Sequence, residues 1–150
     1  MKEQYVLTTR LIERLHRRFL DVIKAELDRL GIEDINNVQT LILFNINVDQ
    51  LTVGELTARG YYLGSNVSYN VKKLVENGYL LQERSAHDRR MTRVRLSQKG
   101  LELTAKIDEL YARNAAQIEG KIATEEELKQ INKTLQSLER YWSNLVSFSL

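Results

Sequence analysis

The chain has 150 residues, 43% of them aliphatic or aromatic and 28% charged, which is enough apolar mass for one folded core. Lys and Arg number 22 against 20 Asp and Glu, and the resulting net charge of +2 excludes a charged tail protein or a disordered chain. With no Cys there is no disulfide, thiolate metal site or thiol redox chemistry, and two His, no Pro and seven Gly point to a helix-dominated chain with little for a His-rich metal site.

The first segment, Glu3 to Leu30, reads as one long helix. Leu7, Leu11, Leu15, Phe19, Val22, Ile23 and Leu27 recur at helical spacings, and Gly31 supplies a C-terminal stop. Asp34 or Asn36 can cap a second, shorter helix carrying Val38, Leu41, Ile42 and Ile46, with a polar turn from Asn45 to Gln50. Thr52-Val53-Gly54-Glu55 is a capping box and opens a third helix through about Arg59. A connection from Gly60 to Gly64, holding Tyr61 and Tyr62, leads to a fourth helix from Ser65 to Glu76, closed by Asn77-Gly78.

The period then changes. Tyr79 to Arg84 is expected as a strand, Ser85-Ala86-His87-Asp88 as a polar turn, and Met91 to Leu96 as a second strand. In that second strand Thr92, Val94 and Leu96 alternate with Met91, Arg93 and Arg95, the period-two pattern of a half-buried hairpin. Ser97 can cap a fifth helix carrying Leu101, Leu103, Ile107, Leu110, Tyr111 and Ile118, which ends near Gly120. Thr124-Glu125-Glu126-Glu127 is a second capping box. The last helix carries Leu128, Ile131, Leu135, Leu138, Trp142 and Leu145 as a heptad seam.

On the fourth helix, Val67, Val71, Leu74 and Val75 form the stripe expected to face the core. Ser65, Asn66, Tyr69, Lys72, Lys73 and Glu76 form a hydrogen-bonding, net basic face on the other side. The first turn, Gly64-Ser65-Asn66, offers backbone N–H groups to a phosphate. A short helix, a connection and a helix with such a face suit a helix-turn-helix that reads DNA, with a plain solvated surface as the alternative.

The hairpin weighs against that alternative. Arg84, Arg89, Arg90, Arg93 and Arg95 fall within twelve residues. From Arg59 to Arg95 eight basic residues face three acidic ones, so this segment carries +5 and the remainder of the chain −3. Arginines on a hairpin beside a groove-sized helix can reach phosphates or a narrow minor groove.

Three stretches carry a family resemblance. They are Tyr62-Leu63-Gly64-Ser65-Asn66-Val67-Ser68-Tyr69-Asn70-Val71-Lys72-Lys73-Leu74-Val75-Glu76-Asn77-Gly78-Tyr79-Leu80, His87-Asp88-Arg89-Arg90, and Leu96-Ser97-Gln98-Lys99-Gly100. Together they resemble the MarR family of winged helix-turn-helix regulators along nearly the whole chain, and the fourth helix is most similar to an alphaproteobacterial branch that includes LdtR. Leu74 and Gly78 match the Leu-x-x-x-Gly that ends the family's recognition helix. Asp88-Arg89-Arg90 matches the wing signature, followed at the family's distance by Leu-Ser-x-x-Gly. Ser85-Ala86-His87 departs from the commoner pattern, in which an acidic residue or proline often stands.

The resemblance implies a mainly α fold with a small β-hairpin (α+β), a winged helix-turn-helix flanked by N- and C-terminal dimerisation helices. The chain is then one unit, 1–150, with a DNA-binding lobe at 33–96 and dimerisation helices at 1–30 and 97–150. It also implies a homodimer on a pseudopalindromic operator in double-stranded DNA. Ser65, Asn66, Ser68, Tyr69, Lys72 and Lys73 would enter the major groove. Asn66 is suited to adenine and Lys72 or Lys73 to guanine or phosphate. In the wing, Arg84, Asp88, Arg89, Arg90 and Arg93 are the candidates. Arg90 would enter the minor groove, and Asp88 would orient the wing through Arg84 or Arg89. The dimer would form through Leu7, Leu11, Leu128, Ile131, Leu135, Leu138, Trp142 and Leu145. A small aromatic or anionic effector would release the DNA from a pocket near His16, Phe19, Thr40 and Phe44, positions that are also ordinary core or interface residues.

No nucleophile–base pair, phosphate-cradling glycine loop or metal cluster points to an enzyme, and no cofactor is expected. The alternative to a DNA-binding regulator is a winged helix used only for protein–protein contact. No secretory signal or membrane span is legible, so the cytoplasm is the expected compartment, without membrane association. Asn66-Val67-Ser68 and Asn132-Lys133-Thr134 therefore carry no weight as glycosylation triplets.

Overall fold

The computed structural model describes residues 1–46, 51–58, 64–84 and 92–148, except for the side chains at 58, 64, 65, 84, 92 and 148. The elements run α1 (Lys2–Leu30), α2 (Asn37–Ile46), β1 (Leu51–Thr52), α3 (Val53–Ala58), α4 (Gly64–Glu76), β2 (Leu80–Arg84), β3 (Thr92–Leu96), α5 (Gln98–Ile118) and α6 (Glu125–Phe148). Their contacts divide the chain into two compact units, Met1–Asp108 and Glu109–Leu150. No helix among the described residues is long and apolar enough to cross a membrane.

In the first unit the three strands form one antiparallel sheet in the order β1-β3-β2. The core combines Ile23 and Leu27 from the end of α1, Leu41, Ile42, Leu43 and Ile46 from α2, and Val67, Val71 and Leu74 from α4 with Leu80, Val94 and Leu96 from the sheet. The apolar stripe of α1 therefore splits. Its C-terminal part is buried, whereas Leu7, Leu11, Leu15 and Val22 stay 40–63% exposed.

The helix ends follow from local chemistry. Of the two candidate caps for α2, Asn36 is the one used: its Oδ1 accepts from the Gln39 amide at 2.8 Å, while Gln39 Oε1 accepts from the Asn36 amide at 3.1 Å. Both Thr capping boxes form. Thr52 Oγ1 accepts from the Glu55 amide at 3.0 Å and Thr124 Oγ1 from the Glu127 amide at 3.2 Å. At the end of α4 the Gly78 amide reaches the Val75 carbonyl and the Tyr79 amide the Leu74 carbonyl, and Gly78 takes φ +81°. This closing motif requires a left-handed residue, a conformation glycine adopts without steric cost.

Three expectations shift. The turn expected from Asn45 does not begin there, because α2 continues through Asn45 to a fully buried Ile46; residues 47–50 lie outside the description. Tyr79 belongs to the helix-closing turn, so β2 starts at Leu80. β1, pairing Leu51 with Val94 and Thr52 with Arg93, was not foreseen. Two residues are too few to register a period, and Thr52 already served as a helix cap.

The second unit contains the end of α5, a turn at Gly120 (φ +73°) and α6. Along α6, Leu128, Ile131, Leu135 and Leu145 are 40–48% exposed, while Leu138 and Trp142 are half-buried.

Candidate nucleic-acid interface

The site is built on α4. Val67, Val71 and Leu74 are at most 2% exposed and hold the helix to the core. Val75 is only half-buried, and the flank of the stripe is taken instead by Asn70, 9% exposed. On the opposite face Asn66, Ser68, Tyr69 and Lys72 are exposed and Lys73 is half-buried, so these five expected reading residues share one accessible surface. For Ser65 the structure gives only its place in the first turn of the helix.

The electrostatics of this face are more selective than the charge count implied. Lys73 Nζ lies 3.4 Å from Glu76 and 5.9 Å from the centre of the Tyr69 ring, so its charge is partly offset and held beside an aromatic. Lys72 makes no ion pair among the described residues. On the sheet, Arg95 Nε meets Glu83 Oε1 at 2.9 Å across the β2–β3 pair. Arg95, counted with the wing cations from sequence, is therefore spent on its neighbouring strand. Arg93 is half-buried opposite Glu83. Asp88, Arg89 and Arg90 lie outside the described residues, as do Arg59, Tyr61, Tyr62, Met91 and the polar turn at 85–88, and of Arg84 only the backbone, at the end of β2, is described.

One group of residues fixes the base of α4 and the root of the hairpin. Ser97 Oγ donates toward the Gly78 carbonyl at 2.5 Å and the Tyr79 carbonyl at 3.0 Å, and accepts from the Gly100 amide at 3.1 Å. A Cβ on Gly100 would sit 2.4 Å from the Tyr79 carbonyl oxygen, so the α5 backbone can come this close only at a glycine. Asp34, in the α1–α2 connection, completes the cluster. It accepts from the Tyr79 hydroxyl at 2.5 Å and from Lys99 Nζ at 2.6 Å, while Lys99 also lies 4.3 Å from the Tyr79 ring centre. Burial alone would raise the Asp34 carboxyl pKa, but the bonds from Lys99 and Tyr79 outweigh it and hold it below its ordinary value. Burial, followed by the bond to Asp34, pushes the Tyr79 phenol well above its own ordinary value.

Residues 35–100 match the family described as a winged helix DNA-binding domain. Over 146 residues, 97% of this chain and 75% of the relative, the sequence is 36% identical to the exopolysaccharide II synthesis transcriptional activator ExpG of Rhizobium meliloti (strain 1021). FabT of Streptococcus pneumoniae, solved in complex with DNA, has a similar fold, with a TM-score of 0.75 at 19% identity over 94% of this chain and 99% of that one. A mutant MarR of E. coli, solved with operator DNA, gives 0.72 at 19% over 90% and 95%. The chain belongs to the MarR family of winged helix-turn-helix regulators. As a MarR-type protein it is a DNA-binding transcriptional regulator.

The MarR motifs acquire physical meanings here. Leu74 and Gly78 are the core anchor and the left-handed stop of α4, and Leu96-Ser97-x-x-Gly100 is the clamp on Gly78 and Tyr79. Among the expected effector-pocket residues of this MarR chain, His16 and Phe19 are exposed on α1, and Phe44 is half-buried on α2. The Asn37 Nδ2 bond to the Leu20 carbonyl (3.2 Å) seats the start of α2 against that part of α1. Thr40 is buried and its hydroxyl donates to the Asn36 carbonyl at 2.8 Å, so it has no free donor for a ligand.

Sequence reasoning missed Asp34, Asn70 and Lys99. Asn70 had a signal, since it falls three after Val67 and four before Leu74, inside the buried stripe. It also missed a second basic surface, where Arg10, Arg14, Arg17 and Arg18 line one side of α1 with Glu13 among them. A charge balance taken over the whole remainder of the chain averages that surface away.

Proposed function

We propose that the protein works as a homodimer on pseudopalindromic duplex DNA, with α4 in the major groove and the arginine-bearing hairpin over the adjacent minor groove. The observation that carries this reading is the division of α4 into a fully buried apolar stripe and an accessible face of Asn66, Ser68, Tyr69 and Lys72. Such a face is complementary to base edges and phosphates. Self-association is supported by two open apolar rows, Leu7, Leu11 and Leu15 on α1 in the first unit and Leu128, Ile131 and Leu135 on α6 in the second. A symmetric pair would present two reading helices about one DNA turn apart, roughly 10 bp. That FabT was solved with DNA and MarR with operator DNA supports duplex DNA as the partner.

A small aromatic or anionic effector, bound near His16, Phe19 and Phe44, would shift the separation of the two heads and release the DNA. His16, Phe19 and Phe44, on α1 and α2, belong to the same compact unit as α4.

The experiment is a duplex titration by fluorescence anisotropy at several salt concentrations, coupled to genomic footprinting. Log affinity should fall linearly with log salt, and the footprint should be a two-fold symmetric site. Absence of salt-dependent duplex binding would overturn the reading and favour a winged helix used for protein contact.

A further inference from the structure

Asn70 is an unusual residue to find where it stands. It sits mid-way along a 13-residue helix, for which asparagine is a poor former, and it is 9% exposed. Its Oδ1 accepts from Gln39 Nε2 at 3.1 Å, and its Nδ2 donates to the Asn66 carbonyl at 2.9 Å. Gln39 is 7% exposed and its Oε1 accepts from the Asn36 amide at 3.1 Å. A line of hydrogen bonds thus runs from the cap of α2, through two buried amides, to the backbone of the first base-reading candidate on α4. No buried side-chain polar atom among the described residues lacks a partner, so both amides are satisfied by this line.

We propose that Gln39 and Asn70 are positioning residues for DNA recognition: their amide pair sets the rotation and axial register of α4 on α2, and so sets base discrimination without touching DNA. The inference rests on α4 being the reading helix. The argument is one of directionality. Val67, Val71 and Leu74 bury α4 through contacts that hold when the helix turns or slides slightly, because apolar burial has little angular preference. A hydrogen bond between two amides does not tolerate such movement, since it weakens steeply with angle and distance. Bidentate reading of a base by Asn66 needs placement of that quality. Two polar groups in a core add little net stability over apolar residues of similar shape, and a buried asparagine is a known means of fixing helix register at some cost in stability. The pair is therefore better explained by placement than by stability.

The test compares the parent protein with the double variant Gln39→Met, Asn70→Leu. Duplexes selected by the parent from a random pool serve as probes, each beside a copy with one base pair changed. The double variant loses the Gln39 acceptor at the cap of α2, so it should melt a few degrees below the parent while keeping the parent's affinity and salt slope for unrelated duplex. Its preference for the selected site over the altered one should fall about tenfold. An unchanged preference would overturn the proposal. Should the double variant fail to fold, Asn70→Ser, which lets water satisfy Gln39, carries the same expectation and the same refutation. A parent that selects no sequence overturns this proposal together with the reading of α4, whereas a selective parent with an equally selective variant overturns this proposal alone.

Discussion

The hydroxyl of Tyr79 lies 2.5 Å from the carboxylate of Asp34, 45 positions earlier in the chain. This contact ties the connection after α1 to the turn that closes α4, and Lys99 closes it from α5. Three separate segments are thereby held at one end of α4.

That cluster predicts a stability profile with two slopes. Asp34 has a depressed folded-state pKa, so its contribution is present above the ordinary carboxylate value, about 3.9, and is lost as pH falls through the folded value. Tyr79 has a raised one, so its contribution is complete below about pH 10 and is lost as pH rises beyond. Asp34→Asn should cost roughly 1 kcal/mol at neutral pH and flatten the acid limb. Tyr79→Phe should flatten the alkaline limb. Thermal melts from pH 3 to 11 measure both; an acid limb unchanged in Asp34→Asn would refute the assignment.

Two glycines should respond in opposite ways. Gly100→Ala forces a Cβ to 2.4 Å from the Tyr79 carbonyl oxygen and should destabilise the protein by about 2 kcal/mol. Gly54→Ala, inside α3, meets only Thr52 Oγ1 at 3.8 Å and should stabilise it by roughly 0.5–1 kcal/mol. Urea denaturation of the two variants is the check.

If α4 and the hairpin meet DNA as proposed, the cations there should divide into free and spent. Lys72→Ala should weaken duplex binding uniformly across sequences and lower the salt slope by about one. Asn66→Ala should relax sequence preference by about 1–3 kcal/mol at one base pair. Arg90→Ala should weaken binding strongly and leave the melting temperature unchanged. Arg95→Ala should do little to DNA, because its guanidinium already serves Glu83. Anisotropy titrations at three salt concentrations separate these four outcomes. Equal losses for Lys72→Ala and Arg95→Ala would contradict the division.

The helical surfaces predict the assembly state. Ile131→Glu or Leu11→Glu should convert a dimer to a monomer in sedimentation runs, since a charge there cannot be buried without a partner. A parent protein that sediments as a monomer at micromolar concentration would refute the dimer.

Much of this was legible because the local signals agreed. The two Thr capping boxes, the Gly31 and Gly78 stops and the alternating Val94 and Leu96 each state one element, and each element formed. What escaped were relations between distant residues. Asp34 read equally well as a helix cap, because nothing local announces a tyrosine 45 residues on. Arg95 read as a free cation, because pairing with Glu83 depends on strand register. β1 was hidden by its length, and Asn70 because a polar residue within an apolar stripe was passed over.

The three-stranded sheet has a consequence for handling and for evolution. Its outer members are β1, only two residues long, and β2, which carries Glu83 and Arg84. Short or ionised margins make poor templates for a neighbouring chain, so the hairpin gives little purchase to fibril growth even when molecules crowd together. Unwanted polymers would have to start elsewhere, so changes that neutralise Glu83 or Arg84 are the ones that would open this margin.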